Sequence, residues 1–462
     1  MNNSKVRINS FELLNIKNVN YGKITVNSKR IANNSDILGI YGQNGSGKTT
    51  VVDAFKILKD MMEGNQLPQE TVNYISANED TMKLCFDFSI NDNKNFDVVY
   101  EFSIANNNNF PVIIEEKLTY KESSLSGHSK KTITYSSVSE DNWLTPKIIA
   151  RQLGVDKTTD LIVAKKISEK EHKSFFFNEE VAMCFKDNLE DVTDILCTLH
   201  NFACTDLFVI QSSDSNITWL NLFVPFFVKY KKNNDLCFGA IPMPINSVAE
   251  IDKRHYEDLI PVIEIINPVL NSMIPGLSID IENYGEQRNE QGNIIVKVDL
   301  VSKKEEKVIP FRYESDGIKK IVSILVLLIA MYNESSMCIV IDELDAGVFE
   351  YLLGEILTVL KDGGKGQLIF TSHNLRPLEV LKKDNIVFTT TNPNQRYIEF
   401  TNIGSTNNLR DLYIRTLNLG GQKEEVYRPI SLSKMGMAFR KAKRGILDEE
   451  EKINNSNCRR DL

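Results

Sequence analysis

Gly42-Gln43-Asn44-Gly45-Ser46-Gly47-Lys48-Thr49 is the stretch that decides the fold of this chain. Its pattern, G-x-x-x-x-G-K-[ST], is that of a phosphate-binding loop. The glycines let the backbone curl until successive N–H groups face one centre, and the following helix adds its positive end. The flanks agree. Residues 36–41 form a short, mostly apolar run suited to a buried strand. Behind the loop, Val51, Ala54, Phe55, Leu58, Met61 and Met62 recur at helical spacing up to Gly64-Asn65. The expected nucleotide contacts are Gly42, Asn44, Gly45, Ser46, Gly47, Lys48, Thr49 and Thr50. Lys48 reaches the β- and γ-phosphates, and the Thr49 hydroxyl is suited to Mg²⁺.

Two more apolar strands end in chemistry. Cys338-Ile339-Val340-Ile341 runs into Asp342 and Glu343. Ligands sit at the carboxyl ends of strands in open α/β sheets, so this pair belongs beside the loop. Asp342 is suited to hold Mg²⁺, and Glu343 to orient and polarise an attacking water. Gln367-Leu368-Ile369-Phe370-Thr371-Ser372-His373-Asn374 ends in the same way, and His373 there can sense a γ-phosphate. The expected catalytic set is Glu343, His373 and Lys48, with Thr49 and Asp342 on the metal.

The rest of the chain bounds these readings. Its 462 residues suggest about three folding units. Hydrophobic residues are 42% and charged residues 25%, an ordinary globular balance that excludes large-scale disorder. Lys and Arg total 54 against 62 Asp and Glu, a net charge of −8. Bulk attraction to nucleic acid is therefore not expected. Seven scattered cysteines with no C-x-x-C pair argue against a disulfide framework or a zinc ribbon and for a reducing cytosol. The polar N-terminus lacks a signal-peptide core. The most apolar run, residues 321–331, is too short to span a bilayer.

Four segments follow from pattern. Residues 1–138 hold an N-terminal hairpin turning at Tyr21-Gly22, the phosphate loop, and strands over 83–90, 96–104, 112–120 and 132–135. Residues 139–278 read as mainly helical, without a sustained heptad repeat. Residues 279–400 hold strands near 279–281 and 294–298, a helix opened by Ser315-Asp316-Gly317, and the two strand ends above. Residues 401–462 form a mixed polar tail.

At these residues the chain resembles the ABC-type ATPase superfamily. Residues 42–49 resemble Walker A, residues 338–343 Walker B with its adjacent glutamate, His373 the switch histidine, and Ser315-Asp316-Gly317 a degenerate signature motif. The resemblance implies an α/β fold: an ABC-type P-loop ATPase head with a mixed sheet, a helical insertion and a small C-terminal extension. It implies ATP and Mg²⁺, and a homo-oligomer built from ATP-sandwiched head dimers in which Ser315 and Gly317 contact the γ-phosphate held by the opposite subunit. A transporter subunit would carry Leu-Ser-Gly-Gly-Gln, where this chain has Glu314-Ser315-Asp316-Gly317-Ile318. Leu125-Ser126-Gly127-His128 lies far ahead of Walker B and opens no suitable helix. No glutamine stands out as a Q-loop residue. The departures point to the SMC-like and OLD-like branch, and within it to stand-alone ATPases of bacterial anti-phage defence: the AriA ATPase of PARIS systems, then PtuA of Septu and abortive-infection ATPases. No Asp-x-Asp of a Toprim nuclease follows His373. The resemblance thus implies a cytoplasmic sensor and scaffold with a separate Toprim- or HNH-type nuclease effector, a phage protein as trigger, and no membrane.

The rival reading is an SMC-like repair or chromosome ATPase that clamps DNA directly; the acidic charge and missing coiled coils count against it. Lys434, Arg440, Lys441, Lys443 and Arg444 form a basic cluster that reads as a solvated face. Phe223, Phe226, Phe227 and Tyr230 sit at near-helical spacing, and residues 250–257 read as a solvated helix start. Cys197, His200 and Cys204 lack an evident fourth ligand and read as core packing rather than a metal site.

Overall fold

In the computed structural model of the chain, residues 4–26, 35–92, 94–123, 130–212, 223–232, 235–244, 247–289, 291–401 and 408–442 are described. The chain opens with the antiparallel hairpin β1 (Lys5–Ile16) and β2 (Val19–Thr25). β3 (Asp36–Tyr41) then runs through the interior, and α1 (Lys48–Met62) follows the phosphate loop. Strands β4 (Thr81–Asn91), β5 (Asn95–Asn107), β6 (Phe110–Glu122), β7 (Lys131–Ser136) and β8 (Leu144–Thr145) extend the hairpin. The result is a seven-stranded antiparallel sheet of order β2-β1-β4-β5-β6-β7-β8. β4 alternates buried and half-buried residues throughout, the signature of a sheet covered on one face.

Next come α2 (Ile148–Glu171), α3 (Glu179–Phe185) and α4 (Glu190–Thr205). β9 (Leu207–Ile210), the hairpin β10 (Phe223–Lys232) and β11 (Asp235–Pro244), β12 (Ala249–Asp252) and α5 (Lys253–Met273) follow. β13 (Leu277–Arg288), β14 (Ile294–Lys304) and β15 (Lys307–Pro310) form a small sheet with β12. The last part runs α6 (Asp316–Asn333), β16 (Cys338–Ile341), α7 (Glu350–Gly363), β17 (Gln367–Thr371), α8 (Pro377–Val380), β18 (Ile386–Thr389), β19 (Tyr397–Ile398) and α9 (Leu409–Leu419). A further helix, α10, spans 432–442.

The site is positioned by a six-stranded sheet of order β19-β18-β3-β17-β16-β9. Every pairing in it is parallel except β18 with β19. β3, β16 and β17 are apolar because both faces are covered. One face shares a core with α1, α4 and the seven-stranded sheet; the other packs on α6, α7 and α9. Val51, Val52, Phe55 and Leu58 of α1 are fully buried, each worth about 1.5–3 kcal/mol. The two sheets are stitched by a buried ion pair, Arg7 with Asp36 at 2.6 Å, and by Gln367, whose side chain bonds both the N–H and the carbonyl of Ile8 at 2.8 Å.

Four expectations change. Among the described residues, 139–278 contain four helices but also β9 to β12, and β9 joins the central sheet beside β16. Residues 223–232 form a strand, not a helix: aromatic and β-branched residues favour a pleated surface, and Pro225 has no place in a helix interior. Residues 249–252 are strand, and the helix starts at Lys253, capped by the Asp252 carboxylate. The first hairpin turns at Lys17-Asn18, with Asn15 and Lys17 in the left-handed region. Gly22 lies inside β2, where a Cβ would come 2.4 Å from the Tyr397 ring. Residues 125–128, Lys443 and Arg444 lie outside the described residues.

Candidate nucleotide site

The phosphate loop is braced from outside. A Cβ on Gly42 would lie 1.6 Å from Thr389 Oγ1, so β18 closes directly over the loop. Ser46 Oγ donates to the Gln43 carbonyl at 2.6 Å and meets Thr389 Oγ1 at 2.5 Å. The Ser46 side chain therefore serves the loop rather than the pocket. Tyr397 OH donates to the Gly47 carbonyl at 2.8 Å, and Asn18 Nδ2 donates to the Gly45 carbonyl. Gly47, at φ +95°, caps α1 in a conformation that side chains rarely adopt. Lys48 is buried, and its Nζ donates to the carbonyls of Gly42 (2.9 Å) and Gln43 (3.0 Å). Burial lowers its pKa, against the pull of Asp342, Glu343 and Asp345.

Asp342 sits at the end of β16. Its Oδ1 accepts from Thr371 Oγ1 at 2.5 Å and lies 3.4 Å from Thr49 Oγ1. Its Oδ2 is buried without a partner. Glu343 follows at φ +50°. Its N–H donates to Thr371 Oγ1 at 2.8 Å, and its carbonyl accepts from Lys320 Nζ. Asp345 takes the N–H groups of His373 (3.2 Å) and Asn374 (3.0 Å), tying the end of β17 to the turn after β16.

One cavity of about 410 Å³ collects these groups. Asn44, Gly45, Gly47, Lys48, Thr49 and Thr50 line it with Asp342, Glu343 and His373. Ser315 and Gly317 do not line it. They stand at the start of α6, where Ser315 is exposed and its Oγ accepts from the Ile318 N–H at 3.3 Å. Gly317 is pressed against the turn after β16: a Cβ would lie 2.1 Å from the Gly347 carbonyl oxygen.

Three groups of the site escaped sequence reasoning. Lys17 and Asn18 reach the cavity from the first hairpin turn. Lys17 pairs with the buried Asp53 of α1, and Gln211, just past β9, donates to Asp53 Oδ1 at 2.8 Å. Gln211 follows the run Leu-Phe-Val-Ile as Asp342 follows Cys-Ile-Val-Ile, and that parallel was the available signal. The Cys197–His200–Cys204 stretch gathers no metal-holding group among the described residues. His200 Nδ1 instead contacts the Met62 carbonyl at 2.8 Å, and its Nε2 lies 3.7 Å from Cys204 Sγ. No helix among the described residues is long and apolar enough to cross a membrane.

The central, mostly parallel sheet carries the phosphate-loop motif and the strand-end carboxylates at one edge, a mixed α/β architecture. Residues 37–145 match a family described as "AAA domain, putative AbiEii toxin, Type IV TA system". No curated protein matches the chain. Among solved structures it is similar to an Smc head bound to the C-terminal winged-helix domain of ScpA, with 12% identity, TM-score 0.44, and coverage of 85% of this chain and 97% of that one. It is also similar to an Smc head with extended coiled coil bound to the C-terminal domain of ScpA from Pyrococcus furiosus (11% identity, TM-score 0.38, 86% and 96% covered). A third is the recombination mediator RecF with ATP (12%, 0.34, 80% and 94%).

Proposed function

We propose that this chain binds ATP with Mg²⁺, hydrolyses it, and uses the cycle as the sensor and scaffold of a bacterial anti-phage complex that holds a separate nuclease effector. The observation that carries the ATPase reading is Asp342, which lines the same cavity as Lys48, keeps a buried Oδ2 without a partner, and has its Oδ1 3.4 Å from Thr49 Oγ1. A carboxylate with a free oxygen and a neighbouring hydroxyl is a donor set for a hard divalent cation. Thr49 and Asp342 would hold Mg²⁺, which when bound neutralises charge on the β- and γ-phosphate oxygens. The loop amides from Asn44 to Gly47 and the ammonium of Lys48 bind the phosphates. Glu343 orients the attacking water and takes its proton, and His373 holds the γ-phosphate side of the cavity.

Ser315 and Gly317 act in trans, completing the site of a second copy. Their place at the start of α6, with Ser315 exposed and neither residue lining their own cavity, supports this. The toxin–antitoxin wording of the matched family supports the defence role. The test is a pull-down of tagged protein expressed with its native flanking genes, alongside ATP turnover of the purified chain. A stoichiometric Toprim- or HNH-type partner and Mg²⁺-dependent turnover are expected. A lone oligomer would remove the scaffold role, and absence of turnover with every copurifying partner present would remove the ATPase reading.

A further inference from the structure

We propose that Lys320 is a positioning residue for hydrolysis: from the helix that carries Ser315 and Gly317, it sets the main chain of Glu343. This deepens the reading above and rests on it. Lys320 lies on α6 and is 3% exposed. Its ammonium donates to the Glu343 carbonyl. Burial lowers its pKa, and the negative charges of Asp345, Glu343 and Asp342 pull against that shift. A buried lysine is rare unless it is paired, so this placement has a cause beyond packing.

Glu343 needs such support. It stands at φ +50°, a region that non-glycine residues seldom occupy and that surroundings must hold in place. Two side chains do so from opposite sides: Thr371 Oγ1 takes its N–H from β17, and Lys320 gives to its carbonyl from α6. A few residues further on, the Gly347 carbonyl sits against Gly317 with no room for a methyl group. The turn after β16 is thus clamped to α6 at two points, one polar and one steric. A second copy pressing on Ser315 and Gly317 moves the carboxylate of Glu343 through this clamp. Contact in trans and readiness to activate water in cis become one event.

The test is steady-state hydrolysis and nucleotide binding by the full chain carrying Lys320→Met, which keeps the apolar length and removes the ammonium. ATP affinity is expected to stay within about threefold while turnover falls about 10- to 100-fold, the penalty of a misaimed general base. Lys320→Arg is expected to restore part of the turnover. In a Glu343→Gln background, Lys320→Met is expected to cause no further loss, because both changes remove the same contribution. Turnover within twofold of the native chain, or equal loss of binding and turnover, overturns the proposal. So does an additive loss in the double variant. If Lys320→Met does not fold, Lys320→Gln carries the same measurements. Unimpaired hydrolysis by Glu343→Gln alone would instead overturn the underlying assignment of Glu343, which separates the two failures.

Discussion

Two glycines open helices in this molecule for different physical reasons. Gly47 caps α1 at φ +95°, a dihedral requirement. Gly317 sits in the first turn of α6 and is required for space, against the Gly347 carbonyl. Their surroundings differ as much. The loop ending at Gly47 is braced by Thr389 of β18 and Tyr397 of β19 and lines a cavity. The turn containing Gly317 opens outward, with its Ser315 hydroxyl turned back to cap its own helix. One helix start is finished within the chain, while the other offers an unfinished face. Among the described residues the cavity is lined at the first helix start and not at the second.

The widest expected contrast comes from the inward side. Lys48→Ala should weaken ATP binding about 10- to 100-fold, through loss of charge-assisted phosphate contacts, as read by titration with a fluorescent ATP analogue. Glu343→Gln should bind ATP normally and lose about 10²–10³ in turnover. Normal hydrolysis by that variant breaks the assignment. On the outward side, Ser315→Arg should leave binding by a dilute monomer within twofold, yet reduce turnover about tenfold or more by blocking head pairing. Equal effects on binding at both sites would erase the distinction between cavity and face.

Gly317→Ala sharpens the spatial argument. Overpacking against Gly347 should cost about 1–3 kcal/mol of stability, seen as a lower melting temperature without loss of nucleotide affinity. The smallest effect lies away from both helix starts. Contact with Cys204 raises the pKa of His200 to about 9, burial opposes the shift, and the Met62 carbonyl adds to it. The folded value lies above the ordinary 6.5, so the stabilisation is fully present below pH 6.5 and fades as pH rises through about 9. The melting-temperature difference between the native chain and His200→Gln should shrink across that window.

The strand–loop–helix of residues 36–62 was legible because its signals are local: an apolar run, a glycine loop and a 3.6-residue period. β16 and β17 were legible for the same reason. β9 was not, because a four-residue parallel strand earns its place only by pairing with β16, far along the chain. Gln211 was hidden with it. Tyr21-Gly22 misled because glycine marks close approach as well as turns, and here Tyr397 is what approaches. The aromatic spacing of 223–230 misled because a helical period over so few residues does not outweigh strand composition. Lys320 carried no signal, since one lysine in a helix says nothing of what it faces.

The phosphate loop is held by partners met very late in the chain. Thr389 grips Ser46 and Tyr397 grips Gly47. The Arg428 N–H reaches the Gln43 side chain at 3.3 Å, while Glu425 and Val426 anchor that same segment on Thr391 and in the core. During synthesis the loop emerges well before the residues that brace it. The nascent chain thus carries a complete motif that stays unfastened until residues near 430 have emerged. Competence to grip a nucleotide in this way waits for a segment 385 residues further along the chain.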